Sequence, residues 1–164
     1  MSYLGKEVCS GGATVKINFS INNSSKNIEI NPSETLYEVL KRCGISSVKK
    51  ACGTSSCGIC TVLLDGKPIP SCSYLAAKVD QHRITTIEGV QEEADILGEL
   101  MNGEGAIQCG FCTPGFLLTV IAMKKELINP DQQQIKNYLV GNLCRCTGYE
   151  GQLRAVKRYM EVER

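Results

Sequence analysis

Four cysteines constrain this chain more than anything else in it. Cys52, Cys57 and Cys60 are spaced C-x4-C-x2-C, and Cys72 follows twelve residues later. Three thiols within nine residues leave little room for ordinary core packing. The loop Cys52-Gly53-Thr54-Ser55-Ser56-Cys57-Gly58-Ile59-Cys60 must therefore be organised around what its sulfurs hold. This spacing, closed by a fourth cysteine, is a ligand pattern for a [2Fe–2S] cluster. Zinc sites usually pair their cysteines as two C-x2-C-like knuckles, which C-x4-C-x2-C matches poorly. Gly53 and Gly58 suit such a loop, since glycine allows positive φ and a close approach of backbone N–H groups to sulfur. Ser55 and Ser56 are small polar residues that could add hydrogen bonds to it.

The chain has ten cysteines in 164 residues, and their setting decides what they do. The N-terminus, Met1-Ser2-Tyr3-Leu4-Gly5-Lys6, lacks the apolar stretch of a signal peptide. The longest apolar run, near residues 116–123, is far too short to span a bilayer. The expectation is a cytoplasmic chain with no membrane span, whose clustered thiols stay reduced and hold metal. A formal net charge of +1, from 18 basic and 17 acidic residues, argues against a nucleic-acid surface.

Residues 1–13 have no periodicity and read as an N-terminal extension in which Cys9 is a free thiol. Val15, Ile17, Phe19 and Ile21 alternate with Lys16, Asn18 and Ser20, which predicts a half-buried strand. Asn22-Asn23-Ser24-Ser25 is turn chemistry, and Ile28 and Ile30 supply the return strand. Thr35 with Glu38 reads as a capping box. The helix it opens has Leu36, Val39, Leu40 and Cys43 on one face and stops at Gly44. Cys43 there is a small buried residue. After the cysteine loop, residues 61–64 and 67–71 flank Asp65-Gly66, a hairpin turn signal that brings Cys72 back toward the loop. Residues 83–87 add a further strand, and residues 88–95, polar and acidic, read as a linker.

Beyond that linker the pattern turns helical. Leu97, Leu100 and Met101 share one face. Thr113 as cap and Pro114 at the first helical position open a helix that is apolar nearly all round over residues 116–127, and hence buried. Residues 129–132 open another in the same way, carrying Ile135, Leu139 and Val140. A Thr147/Glu150 capping box opens the last, with Leu153, Val156 and Met160 on its face. The first half thus reads as a mixed sheet packed on one helix, the second as a small four-helix domain.

A second cysteine set, Cys109-Gly110-Phe111-Cys112 and Cys144-Arg145-Cys146, stands just ahead of two of these helices. If both helices begin at one point, four thiolates meet where N–H groups are unsatisfied and the helix dipole is positive. A net-negative cluster is favoured there. From the residues alone, iron–sulfur and zinc both stay open for this set, although C-x-C is too tight for a normal zinc knuckle. Arg145 is a candidate either for electrostatic tuning or for a surface or interface salt bridge. His82, the only histidine, excludes a Rieske centre within the chain, which needs two, and reads as solvated. No G-x-G-x-x-G or P-loop pattern occurs, and no Ser/His/acid set can be assembled. The chain offers wiring for electrons and no obvious substrate chemistry.

At this point the motifs become specific. Cys52-x4-Cys57-Gly58-Ile59-Cys60-Thr61-Val62-Leu63-Leu64-Asp65-Gly66 closely resembles the first motif of the small iron–sulfur subunit of the molybdenum hydroxylases. That is the family of xanthine dehydrogenase, aldehyde oxidoreductase and carbon monoxide dehydrogenase. Gln108-Cys109-Gly110-Phe111-Cys112-Thr113-Pro114-Gly115 resembles its second motif, and Asn142-Leu143-Cys144-Arg145-Cys146-Thr147-Gly148-Tyr149 its third. The resemblance implies an α+β fold: a plant-type ferredoxin-like β-grasp domain over residues 14–89, then a C-terminal four-helix bundle over residues 90–164. It implies two [2Fe–2S] clusters. Cys52, Cys57, Cys60 and Cys72 match the ligands of the outer one, nearer the flavin. Cys109, Cys112, Cys144 and Cys146 match those of the inner one, nearer the molybdenum cofactor. Gln108 and Cys146 match positions that contact the pterin of that cofactor.

The implied partners are a large molybdopterin-binding subunit and an FAD-binding subunit, with no catalytic residue in this chain. The implied role is electron transfer from the molybdopterin centre through both clusters to FAD or another acceptor, during hydroxylation of a purine-type, N-heterocyclic or aldehyde substrate. The alternatives are a reductive aromatic acyl-CoA dehydroxylating complex, a free-standing ferredoxin-like carrier, against which the helical half speaks, and a zinc-binding interaction module. Two positions depart from the family's first loop, which usually has glycine where Ser55 and Ala51 stand. Serine at 55 is expected to need an altered backbone angle.

Overall fold

The computed structural model describes residues 13–162. The expected free thiol at Cys9, with nearly all of the N-terminal extension, lies outside the described residues.

β1 (Val15–Ile21) and β2 (Ser24–Ile30) form an antiparallel hairpin with Ile21 opposite Ser24. Its two turn residues, Asn22 and Asn23, sit at φ 49° and 66°, the left-handed pair that matches the twist of the flanking strands. Ile17, Phe19 and Ile21 are buried, as their alternation predicts. α1 (Leu36–Arg42) opens with the capping box: Thr35 Oγ1 accepts from the Glu38 amide, and the Glu38 carboxylate accepts from the Thr35 amide at 2.8 Å. Leu36, Val39 and Leu40 are fully buried beneath the sheet, and Cys43 is partly buried against the same core.

β3 (Thr61–Leu64) and β4 (Lys67–Pro70) flank the Asp65-Gly66 turn, and β5 (Arg83–Thr85) completes the sheet. The strand order is β2-β1-β5-β3-β4, with β5 parallel to β1 and antiparallel to β3. β4 carries Pro68 and Pro70 and lies at the edge, where a missing N–H removes no interior ladder bond. The ring of His82 is hydrogen-bonded rather than free in solvent. Its Nδ1 is 2.6 Å from Asp65 Oδ2, and Asp65 Oδ1 accepts from the Arg83 amide.

Both faces of β3 are covered. Val62 packs into the core shared with α1, while its neighbour Leu63 points the other way into the helical core. The two cores therefore meet across one strand.

Residues 88–95 are not a linker. A 3₁₀ turn at Ile87–Gly89 runs directly into α2 (Gln91–Gly103), and Val90 and Ala94 are buried. Glu92 and Glu93 occupy the first turn, where the helix dipole favours negative charge. The acidity that suggested a connector is that of a helix start. α3 (Thr113–Glu126) opens one residue earlier than expected, with Cys112 as cap, and every residue from 115 to 124 is buried. Lys124, the last of these, donates to the carbonyls of Tyr159 and Val162, both at 2.9 Å, and so closes the C-terminus of α5.

α4 (Gln132–Tyr138) starts at an Asp131/Gln134 capping box rather than at Asn129, which turns at φ 48°. Ile135 is buried, but Val140 lies past the helix end and is 79% exposed. α5 (Glu150–Glu161) follows Tyr149, itself left-handed at φ 71°. Thr147 is not its cap, because its hydroxyl is turned to Cys144 Sγ at 3.2 Å. The buried face of α5 is Gln152, Ala155, Val156 and Tyr159, and Leu153 and Met160 are only partly covered. Val156 is on this face as expected, and the rest of the expected face is displaced by one position because Gln152 is polar. No helix among the described residues is long and apolar enough to cross a membrane.

Candidate metal centres

The first cysteine loop is an exposed arch on buried feet. Residues 51–56 are exposed, whereas Cys57, Cys60 and Cys72 are buried. Gly53, Ser55 and Gly58 all take positive φ, 68°, 62° and 67°. Left-handed residues alternating with ordinary ones turn successive N–H groups inward, the arrangement that makes a concavity for an anion. The Thr54 amide lies 3.4 Å from Cys52 Sγ. That amide, with a hydrogen bond from Cys57 and the further ones from Thr54 and Ser56, brings the Cys52 thiol down to about 5. Ser55 is the departure noted above, and it carries the left-handed angle itself, at a cost of roughly 1–2 kcal/mol for a residue with a Cβ.

Cys72 reaches the loop because of strand register. Thr61 pairs with Pro70, which sets Cys60 beside Ser71; the Ser71 hydroxyl and amide both donate to the Cys60 carbonyl, at 2.7 and 3.3 Å. Burial pushes Cys60 up to about 11, and its sulfur is within hydrogen-bonding range of Cys72. The four thiols thus fall into two pairs, Cys52 with Cys57 and Cys60 with Cys72.

The second set pairs in the same manner. Cys146 Sγ and Cys109 Sγ are 3.6 Å apart, and Cys112 lies within hydrogen-bonding range of Cys144. The Phe111 amide and then Cys146 lower the Cys109 thiol, while the hydrogen bond to Cys109 raises Cys146. Burial, then Cys144, pushes Cys112 up to about 11. Burial also works on Cys144, but the Thr147 hydroxyl and the amides of Cys146 and Thr147 outweigh it and hold that thiol low. Tyr149 Oη accepts from the Cys144 amide at 3.0 Å. Thr147 and Tyr149 are thus support groups for Cys144 that reading the motif as a capping box concealed. Cys109, Cys146, Gln108 and Arg145 are exposed, and the sulfurs open on a cleft of about 460 Å³ that Ile59, Phe111 and Tyr149 also line.

Two thiolates bound tetrahedrally to one metal at about 2.3 Å stand about 3.8 Å apart, close to the Cys109–Cys146 separation of 3.6 Å. Among the described residues, no three His, Cys, Asp or Glu side chains gather where one metal ion could be held. The Cys109–Cys146 separation thus fits two cysteines sharing one metal of a binuclear group.

The two sets touch backbone to backbone. The Leu143 amide donates to the Cys57 carbonyl at 2.9 Å. A Cβ on Gly58 would lie 2.5 Å from the Gly141 carbonyl oxygen, and one on Gly115 would lie 2.3 Å from that of Gly58. Asn142 Nδ2 donates to Thr119 Oγ1, whose hydroxyl donates in turn to the Gly115 carbonyl within α3. Glycine at 58 and 115 is therefore what lets the first loop seat against the segment before Cys144 and the start of α3.

Residues 19–85 match the 2Fe-2S iron-sulfur cluster binding domain family, and residues 86–157 match the [2Fe-2S] binding domain family. The chain is 39% identical over 153 residues to the nicotinate dehydrogenase small FeS subunit of Eubacterium barkeri, covering 92% of this chain and 96% of that one. It is 40% identical over 144 residues to the xanthine dehydrogenase iron-sulfur-binding subunit of Escherichia coli O157:H7, covering 84% and 89%. Among solved structures, quinoline 2-oxidoreductase from Pseudomonas putida 86 superposes with a TM-score of 0.80 at 34% identity, over 87% of this chain and 90% of that one.

Proposed function

The chain belongs to the family of small [2Fe–2S] subunits of the molybdenum hydroxylases, and we propose that it carries electrons from a molybdopterin centre in a large partner subunit to FAD in a second partner or to another acceptor. The observation that carries this reading is the presence of two cysteine sets whose segments are joined by direct backbone contact, with Cys109 and Cys146 sulfur to sulfur in the second. Cys52, Cys57, Cys60 and Cys72 hold one [2Fe–2S] cluster, and Cys109, Cys112, Cys144 and Cys146 the other. When bound, each cluster supplies a one-electron carrier. The chain's own residues set the terms: the left-handed arch directs amides at the first set, and Thr147 and Tyr149 hold Cys144 in place at the second.

Gln108, which precedes Cys109, and Cys146, one of the exposed sulfur pair, are the positions that meet the pterin, and the exposed arch 51–56 is the side open to the acceptor. The substrate class is an N-heterocycle of the nicotinate, xanthine or quinoline kind. The names of the relatives support this, and the pocket that binds it belongs to the partner. The compartment is the cytoplasm, where thiols stay reduced.

Low-temperature EPR of anaerobically purified, dithionite-reduced protein with its co-purifying subunits, together with iron and sulfide counts, tests this reading. Two distinct reduced [2Fe–2S] signals with about four irons per chain are expected. One signal accompanied by zinc would make the second set structural and end the proposed electron path.

A further inference from the structure

The first turn of α5 holds a polar side chain where the helix faces the core. Gln152 is 3% exposed, and its Oε1 is a buried side-chain atom left with no hydrogen-bond partner among the described residues. An orphaned buried acceptor costs about 1–3 kcal/mol, so its surroundings should account for it. The side chain stands between two spaces. On one side is a crevice walled by Cys57, Cys112, Cys144, Phe116, Asn142 and Leu143, too narrow to admit water. On the other is a wider, mostly apolar cleft of about 480 Å³ bounded by Leu139, Val140, Tyr149 and Leu153, which water can enter.

The crevice has little to offer a carbonyl oxygen. Asn142 Nδ2 gives one of its two N–H groups to Thr119, and the Leu143 amide is given to Cys57. What the walls do offer is sulfur, and an ionised or metal-bound cysteine sulfur accepts hydrogen bonds. The last torsion of a glutamine is broad and two-fold, so its amide turns end for end at little cost. Turned, Nε2 faces the sulfurs and Oε1 faces the cleft where water can reach it.

We propose that Gln152 is a positioning residue for the second cysteine set: its amide N–H donates across the crevice to the sulfur of Cys112 or Cys144 and holds the reduction potential of the group bound there above what an apolar side chain would allow. The inference rests on the reading that these cysteines hold a [2Fe–2S] cluster. Hydrogen bonds to the sulfurs stabilise the added electron, one of the levers that set such potentials.

The test is an anaerobic redox titration of the assembled complex, followed by EPR, in wild type, Gln152→Met and Gln152→Leu. Methionine keeps the length and leucine most of the bulk, and both remove the donors without adding a charge. The second-set signal is identified as the one lost in Cys112→Ser. Both variants are expected to keep two signals. The second-set group should reduce at lower potential, by a tenfold change in its oxidised-to-reduced ratio or about 59 mV for one electron, with the first set unmoved. Unchanged potentials in both variants overturn the proposal. So does an equal shift of both signals, or loss of the second signal in both variants, which would make Gln152 a packing residue. A wild-type complex lacking the second signal overturns the underlying reading, a distinct result.

Discussion

The amide of Leu143 donates to the carbonyl of Cys57 across 2.9 Å, so the residue just before Cys144 is bonded directly to a cysteine of the other set. Leu143→Pro deletes that donor. Both EPR signals are expected to persist, while electron equilibration between the two sets slows in stopped-flow reduction of the assembled complex. Unchanged rates would mean that electrons do not use this connection.

Gly115 lies in α3, where a Cβ would come within 2.3 Å of the Gly58 carbonyl oxygen. Gly115→Ala should therefore push the first loop off its seat and cost about 3 kcal/mol, at the upper end of ordinary overpacking. Chemical denaturation reads the loss, and the first-set EPR signal should broaden with it. A neutral substitution would show that loop and helix part easily.

Ser55 holds a left-handed angle that glycine adopts without strain. Ser55→Gly relieves roughly 1–2 kcal/mol in the folded chain and gives back about 0.4–1 kcal/mol through the looser unfolded one. A net gain of about 0.5–1 kcal/mol is expected. A lower midpoint than wild type in denaturant would contradict it.

The cap of α1 should be pH-dependent. The Thr35 amide, then the Thr35 hydroxyl, hold the Glu38 carboxyl below its ordinary value of 4.5. A depressed carboxylate contributes stability that is fully present above the unfolded value and is lost as pH falls through the folded one. Amide exchange in α1 should be faster in Glu38→Gln than in wild type at pH 6, and the difference should shrink below pH 4.5. Thr35→Ala should cost about 1 kcal/mol near neutral pH.

Stripping the iron should loosen the molecule unevenly. Residues 51–56 are exposed and have no apolar anchor of their own, whereas residues 115–124 of α3 are buried throughout. Limited proteolysis of the metal-free chain should cut first in the arch and near residues 144–149, with α3 protected. Simultaneous loss of all three regions would mean that the metal holds both cores together.

What the sequence made legible was local. The Thr35/Glu38 box, the Asp65-Gly66 turn and the alternation in β1 each depend on neighbours within a few residues, and all three are present, except that Val15 at the start of β1 is exposed rather than buried. The wholly apolar stretch of α3 announced its burial just as directly. The misreadings arose where tertiary partners decide. Glu92 and Glu93 look like connector residues until Ala94, Leu97 and Met101 are seen packed behind them. Thr147 has the pattern of a cap, but a cysteine sulfur competes for its hydroxyl and wins. Gln152 breaks the apolar period of α5, so the face was displaced by one position. At the candidate centres, the spacings single out eight cysteines, while their placement beside one another depends on strand register and on contacts between segments far apart in the chain.

β5, the last strand of the sheet in chain order, is inserted at its middle, between β1 and β3. On a ribosome adding roughly 5–20 residues each second, N-terminal end first, β1–β2 and β3–β4 emerge as separate hairpins that cannot join until residue 85 has been made. By then every cysteine of the first set has been synthesised. The nascent chain thus passes through a window in which Cys60 and Cys72 already exist but the core that buries them is unfinished. A pause in elongation before codon 85 would lengthen the interval in which those thiols lie open to oxidants.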